Sequence, residues 1–281
     1  MTLAHRIRHT MQPVRALSRW VDGVGRRTTF YLGALGAAGK AVRLYRRETM
    51  RLVAEVSMGT GALAVIGGTV VIVGFLTFFG GATVAVQGFS SLGDIGIEAL
   101  TGFLAAYVNV RVVAPVTAGV GLAATIGAGT TAQLGAMRIS EEIDALEVMS
   151  IKSVPYLVGT RILAGAIVIL PLYALAVAAS FLASRVATVH IFGQSPGVYD
   201  HYFRTFLIPS DVLWSFVQAI AMAVAVMLIH TYYGYFASGG PAGVGMATGR
   251  AVRSSLVAVV TVTLVISLAL YGSSRQLHLA G

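Results

Sequence analysis

MRISEEIDALEVMSIKS, residues 137–153, is a charged island between long apolar runs, and its reading orders the rest of the chain. Four of the eleven acidic residues, Glu141, Glu142, Asp144 and Glu147, fall inside this stretch. The island cannot sit in lipid. The pattern predicts a short helix: Ser140 can cap it, its hydroxyl accepting from free backbone N–H groups, and Glu141 and Glu142 suit the positive end of the helix dipole. At about 100° per residue, Ile139, Ile143, Leu146 and Met149 share one side, while Glu141, Asp144 and Glu147 share most of the other. Lys152 and Pro155 close the element, because a proline biases the preceding residue away from helical geometry. A solvated polar loop is one reading. The other is a docking helix: a loop that needs only solubility has no use for an ordered apolar stripe, whereas a helix laid in a partner's groove needs both stripe and acidic rim.

The flanking runs fix the class. With mean hydropathy +0.80, 56% hydrophobic and 11% charged residues, the chain reads as an integral membrane protein. Continuous apolar runs, rather than short alternating segments, exclude a barrel, so the crossings are helices. The formal net charge of +9 could suggest nucleic acid, but eleven of the twenty basic residues precede Leu52, ahead of the first long apolar run. That asymmetry predicts a cytoplasmic N-terminus near anionic headgroups and no nucleic-acid partner. There is no cysteine, hence no disulfide or thiolate chemistry. The late start of the first apolar run argues against a cleavable signal peptide.

The chain divides into a basic N-terminal region, 1–51, and a membrane domain, 52–281. In the first, arginines interleave with Trp20, Phe30, Tyr31, Leu32, Leu35, Leu44 and Tyr45, a composition suited to a helix in the headgroup plane. Up to Arg27 a disordered basic tail is an equal alternative. In the second, the expected elements are spans at about 54–90, 97–135, 155–184, 211–237 and 252–274, the short helix at 139–150, and a polar external segment at 185–209. Val56 to Gly93 is uncharged and exceeds the roughly 20 residues one span needs, so a long tilted helix or a broken one passes there. The second span is expected to bend near Pro115, and Ser238 to Arg253 reads as a Gly-rich cytoplasmic loop. The fold class is therefore all-α: an interfacial N-terminal helix, five transmembrane helices and a short cytoplasmic helix, with the C-terminus outside.

Ionisable groups within spans are costly and each is a candidate site. Arg111 lies in an apolar stretch four residues before Pro115. It can hold an anionic phosphate or carboxylate, snorkel toward headgroups, or pair with Glu98. His230, beside Tyr232 and Tyr233, reads as a hydrogen-bonded structural histidine more readily than a proton relay. His190 and His201 lack metal-ligand spacing. GAAGK at Gly36 to Lys40 lacks the leading glycine and the hydroxyl residue of a phosphate-binding loop, so nucleotide hydrolysis is expected elsewhere.

The run from Gln87-Gly88 through Arg111 and Pro115 to Gly135, Met137-Arg138 and the EEIDALEVM helix at Glu141 to Met149 resembles the MlaE/YrbE permease family, the membrane subunits of ABC systems that move lipids with MCE proteins. The resemblance spans most of the chain. It implies that Ser140, Glu141, Glu142, Ile143, Asp144, Leu146, Glu147 and Met149 form a coupling helix docking on an ATPase dimer that binds ATP and magnesium, with no cofactor in this chain. It also implies that Gln87, Phe89 and Arg111 face a lipid cavity at a dimer interface, with MCE proteins on the external side of the cell membrane. The departures are Val112 and Ala114 for a usual acid and glycine, Ala124 and Thr125 for a usual Gly-Arg, and Gln133 for a usual glutamate. The missing charges predict a heterodimer with a paralogous permease, as in actinobacterial systems. Two rival functions remain at this point: a membrane-embedded lipid-modifying enzyme built on His230, Tyr232 or Tyr233, and a scaffold subunit that transports nothing.

Overall fold

In lipid, a backbone is satisfied only by closing its own hydrogen bonds, and the long apolar runs do so as helices. The computed structural model describes the backbone of residues 3–58 and 63–271 and the side chains of 24–55 and 68–269, with no strand among them. The helices are α1 (Leu3–Leu44), α2 (Arg46–Met58), α3 (Leu63–Gly93), α4 (Glu98–Ile139), α5 (Glu142–Val148), α6 (Val154–Ile191), α7 (Pro196–Phe206), α8 (Pro209–Tyr235) and α9 (Gly240–Tyr271). Five of them, α3, α4, α6, α8 and α9, are long and apolar enough to cross a membrane. The chain is an all-α, multi-pass membrane protein.

The spans are not equally covered. The most apolar windows of α4, α6 and α8 are 44%, 50% and 44% buried, against 28% for α3 and 17% for α9. Hence α4, α6 and α8 form the centre and α3 and α9 the flanks. Leu122 of α4, Ile169 and Tyr173 of α6, and Met222 and Val226 of α8 meet in the core, where Val73 of α3 and Val259 of α9 close it from either side. Without a hydrophobic force between helices in lipid, small residues permit such packing. At Gly81 a Cβ would overlap the Ser180 backbone, so α3 and α6 touch main chain to main chain. Ser184 then donates to the Gly81 carbonyl (2.8 Å) and accepts from Asn109 Nδ2 (2.8 Å), pinning α3, α4 and α6 together.

The expected bend near Pro115 takes the form of a π-type turn at Asn109–Val113 inside an otherwise continuous α4. Pro115 cannot donate to the carbonyl four residues back, and the Ala114 N–H reaches instead to Asn109 O. A second such turn spans Ala123–Gly127. At 42 residues, α4 is about 63 Å long, twice the apolar thickness of a bilayer, and so extends beyond it.

Two expectations are corrected. The stretch at 185–209 is largely helical: α6 runs on to Ile191, and α7 follows, burying Tyr199. Ser238 to Arg253 is not a loop. The reversal is confined to Gly239 and Gly240, whose φ values of 90° and 68° suit glycine, and α9 begins there because Val244 packs on Gly135 of α4. The basic region is helical from Leu3 on, with side chains described from residue 24. Its alanines, Ala34, Ala37, Ala38 and Ala41, are buried, Ala34 and Ala38 against Val158 and Ile162 of α6, while Lys40, Arg43, Arg46 and Arg47 are exposed beside Leu32, Leu44 and Met50. Arg51 of α2 pairs with Glu48 (2.6 Å), and that hydrogen bond holds the Glu48 carboxyl below its ordinary value.

Candidate functional site

The acidic island sits at the end of the bundle where α4 leaves and α6 begins. Ser140 is not an N-cap: α4 runs to Ile139, and Ser140 ends it, its hydroxyl 2.9 Å from Ala136 O and 3.0 Å from Glu142 Oε1. The chain reverses at Glu141, which takes a left-handed φ of 61°, and α5 follows as two turns. Its far end closes in a Schellman arrangement: Ile151 N–H donates to Leu146 O (3.0 Å), Ser150 N–H to Glu147 O (2.9 Å), and Ser150 takes φ 61°. Left-handed backbone at a glutamate and a serine is local strain of the kind held at functional elements.

The helix divides its side chains differently from the simple two-sided wheel. Ile143 is completely buried against Leu134 of α4 and Leu157 of α6, with Leu146 half-buried beside it. Glu147 accepts from Ser153 (2.6 Å) and lies 3.4 Å from the Tyr235 hydroxyl, which is itself 2.8 Å from Ser153, so α5, α6 and α8 meet there. Asp144 pairs with Arg138 (2.7 Å). What faces outward is Val148, 86% exposed, and Met149, 62% exposed, beside exposed Glu141, Glu142 and Asp144. Ile139 is exposed as well. A hollow of about 350 Å³, lined by Glu147, Ser150 and Lys152 to Pro155, adjoins this tip. Thus half of the expected apolar stripe, Ile143 and Leu146, anchors α5 to its own chain, while the other half, Ile139 and Met149, faces outward together with Val148, which the helical wheel had not singled out.

At the opposite end, Arg111 lies in the first π-type turn of α4. Its partner is Asp211 in the first turn of α8 (Nη2 to Oδ2, 2.6 Å), not Glu98, and its guanidinium carbon stands 3.7 Å from the Tyr107 ring centre. The side chains are 12% and 20% exposed, a mostly desolvated pair. Tyr107, one turn earlier, was within reach of sequence reasoning; Asp211, a hundred residues away, was not. Gln87 is exposed on α3, and Phe89 stacks on Phe192 (4.6 Å, 11°). Among the described residues, no hydrogen bond or ring contact joins Gln87, Phe89 and Arg111.

His230 is fully buried between α4 and α9: Nδ1 lies 2.7 Å from Thr131 Oγ1, and Nε2 lies 3.2 Å from Ser255 Oγ. Ser255 can donate to Val252 O (2.8 Å), leaving its oxygen to accept from Nε2–H, while the one hydroxyl proton of Thr131 has Nδ1, His230 O (3.0 Å) and Gly127 O (3.3 Å) within reach. A neutral ring satisfies every group, which is structural chemistry. Tyr232 packs on Phe30 and Tyr31 of α1, and the Tyr233 hydroxyl lies 3.2 Å from Ser254 Oγ.

This arrangement of five spans, a short acidic helix between the second and third, and a basic helix ahead of the first can be compared with known proteins. The family profile described as Permease MlaE matches residues 58–269. The chain belongs to the MlaE permease family. Similar proteins to this permease include a probable ABC transporter permease protein of Rickettsia bellii, 29% identical over 188 residues, 67% of this chain and 73% of that protein. The intermembrane phospholipid transport system permease protein MlaE of Haemophilus influenzae is 26% identical over 196 residues, 69% of this chain and 75% of that one. The chloroplastic protein TRIGALACTOSYLDIACYLGLYCEROL 1 of Arabidopsis thaliana is 24% identical over 189 residues, 67% and 54%. As a permease, the chain is a transporter component rather than an enzyme.

Proposed function

We propose that this permease is the membrane subunit of an ABC-type lipid transporter in which α5 is the docking point for a separate ATPase. The single observation that carries the reading is the build of α5: Ile143 and Glu147 fix it to three spans, while Val148, Met149, Glu141 and Glu142 are left outward. A helix that must receive force needs both a rigid base and a free face. The end bearing α5 also carries the exposed basic residues of α1 and α2, together with Lys152, Arg250 and Arg253, and the excess of positive charge favours the cytoplasmic side of the cell membrane for it. The N-terminus then lies inside and the C-terminus outside. ATP and magnesium belong to the ATPase dimer, and MCE proteins to the external face.

The second part of the proposal concerns a partner permease. Phe75, Phe79 and Val71 on α3 and Val257, Leu264 and Leu268 on α9 are exposed, giving the flanking spans broad apolar faces for a second membrane subunit and for acyl chains between the two. The charges replaced by Val112, Thr125 and Gln133 favour a paralogous chain there over a second copy. In this setting Gln87 and Arg111 are the polar residues offered to a lipid headgroup, Arg111 already neutralised by Asp211.

The test is a triple variant, Glu141→Lys, Glu142→Lys and Val148→Asp, produced together with its partner subunits. The expected result is loss of ATPase co-purification with unchanged thermal unfolding of the spans. Undiminished co-purification overturns the docking role.

A further inference from the structure

At the end of the bundle opposite α5, α7 lies across the close of α6 and the start of α4, where a Cβ on Gly102 would stand 3.0 Å from Phe203 N. Between α6 and α7 is a cavity of about 550 Å³ with an apolar floor of Phe181, Leu182, Phe203 and Leu207 and a polar rim of Arg185, Asp200 and Arg204. Tyr199 also lines it. That tyrosine is 1% exposed, and its hydroxyl has no hydrogen-bond partner among the described residues, an arrangement that buried hydroxyls rarely keep unless something else supplies the partner. Arg185 and Asp200 neutralise each other through two hydrogen bonds of 2.9 and 3.0 Å. The exposed Arg204 makes no ion pair among the described residues, so the rim keeps one positive charge.

An apolar floor, one surplus cation and one unused buried hydroxyl, all at the edge of a membrane span, describe an amphiphile with a single negative charge. We propose that this cavity binds an anionic phospholipid, its acyl chain on Leu182 and Phe203 and its phosphodiester against Arg204 and the Tyr199 hydroxyl. None of its lining residues belongs to the exposed faces of α3 and α9 or to the Arg111–Asp211 pair, so it is distinct from the lipid-facing surfaces of the proposed function. Arg185 and Asp200 position α7 over it and need no contact with the lipid.

The experiment is native mass spectrometry of the full-length chain, with the subunits that accompany it, titrated with phosphatidylglycerol and phosphatidylcholine of identical chains. One phosphatidylglycerol is expected to be retained about fivefold more strongly than phosphatidylcholine, the factor typical of one basic side chain at a headgroup. Arg204→Gln is expected to abolish that preference, and Leu182→Trp, which fills the floor, to reduce retention of both lipids. Millimolar inorganic phosphate should leave the bound lipid in place. Equal retention of the two lipids by the unaltered chain, a preference that survives Arg204→Gln, or displacement by phosphate alone each overturns the proposal.

Discussion

Replacing Ile143 by alanine tests whether α5 is held by one buried side chain. Ile143 is wholly inaccessible, packed on Leu134 and Leu157, so its truncation removes buried methyl and methylene groups and leaves a cavity, at a cost of about 2 to 5 kcal/mol. The remaining tethers are weaker. Arg138–Asp144 is 37% and 58% exposed, a surface pair of about 0 to 1 kcal/mol, and the Ser153–Glu147 hydrogen bond, to a charged acceptor, adds about 1.5 to 3 kcal/mol. Short peripheral elements open at a small fraction of the global unfolding energy. Even the lower bound, about 2 kcal/mol, multiplies the opening constant of α5 by about 30. Amide hydrogen exchange of residues 142–148, measured on the protein in nanodiscs, should therefore accelerate by at least that factor while α4 and α6 keep their protection. Val148→Ala, altering a side chain that touches little of its own chain, should leave exchange unchanged. If docking needs α5 preformed, Ile143→Ala also weakens ATPase binding in proportion to the fraction opened. Unaltered exchange in Ile143→Ala, or accelerated exchange in Val148→Ala, refutes this division of the helix into an anchor and a free face.

Removing either member of the Arg111–Asp211 pair leaves a mostly desolvated charge; Arg111→Ala or Asp211→Ala should each cost about 2 to 4 kcal/mol, and the double variant less than their sum, in a double-mutant cycle read by thermal unfolding. Gly127→Ala places a Cβ 2.6 Å from His230 Cδ2 and 2.7 Å from Nε2 in a fully buried site; a loss of about 1 to 3 kcal/mol is expected, and Gly127→Ala/His230→Ala should lose less than the sum of the two single variants. The hydrogen bond from Arg185 holds the Asp200 carboxyl below its ordinary 3.8, so the folded state binds the proton less readily than the unfolded. The stabilisation of α7 is then complete above pH 3.8 and lost as the pH falls through the lower folded value. Protection of α7 against hydrogen exchange should be insensitive to that pair between neutral and mildly acidic pH and should weaken only below it, with Asp200→Asn showing no such step.

The five spans were legible because nothing but a helix satisfies long uncharged backbone in lipid, and hydropathy reports that directly. The boundaries were less so. The glycines from Gly243 to Gly249 signal a loop by propensity, yet Val244 packing on Gly135 makes that stretch the first turns of α9. The same override reads Ser140 as a cap when it ends α4, because the left-handed turn falls on Glu141, a residue type with no preference for it. The wheel separated greasy from charged faces on α5 but could not tell which greasy residues face inward, since Leu134 and Leu157, which decide it, lie outside the stretch. Arg111 stood out as an anomaly in its span, whereas Asp211, at the start of a different helix, looked like an ordinary acidic residue near a helix N-terminus.

One element joins these sites. α4 begins beside α7, carries Arg111 in its first π-type turn, meets His230 through Thr131 just past its second, and presents Leu134 to Ile143 before ending under α5. A straight α-helix would pass a push along its axis unchanged, but a π-type turn holds a surplus hydrogen-bond register that can move along the helix by small changes in φ and ψ. Both turns of α4 are clamped on their flanks, the first by Asn109–Ser184 and Arg111–Asp211, the second by Gly127 pressed on His230. Under the proposed docking role, force entering at Ile143 reaches the second turn first, and the side chains able to resist or follow it there are Thr131, His230 and Ser255. That places the mechanical weight of His230 in its fit against Gly127 rather than in proton transfer, and it makes the buried ring, bonded to α4 on one side and α9 on the other, the joint through which movement at α5 would reach the exposed apolar face of α9.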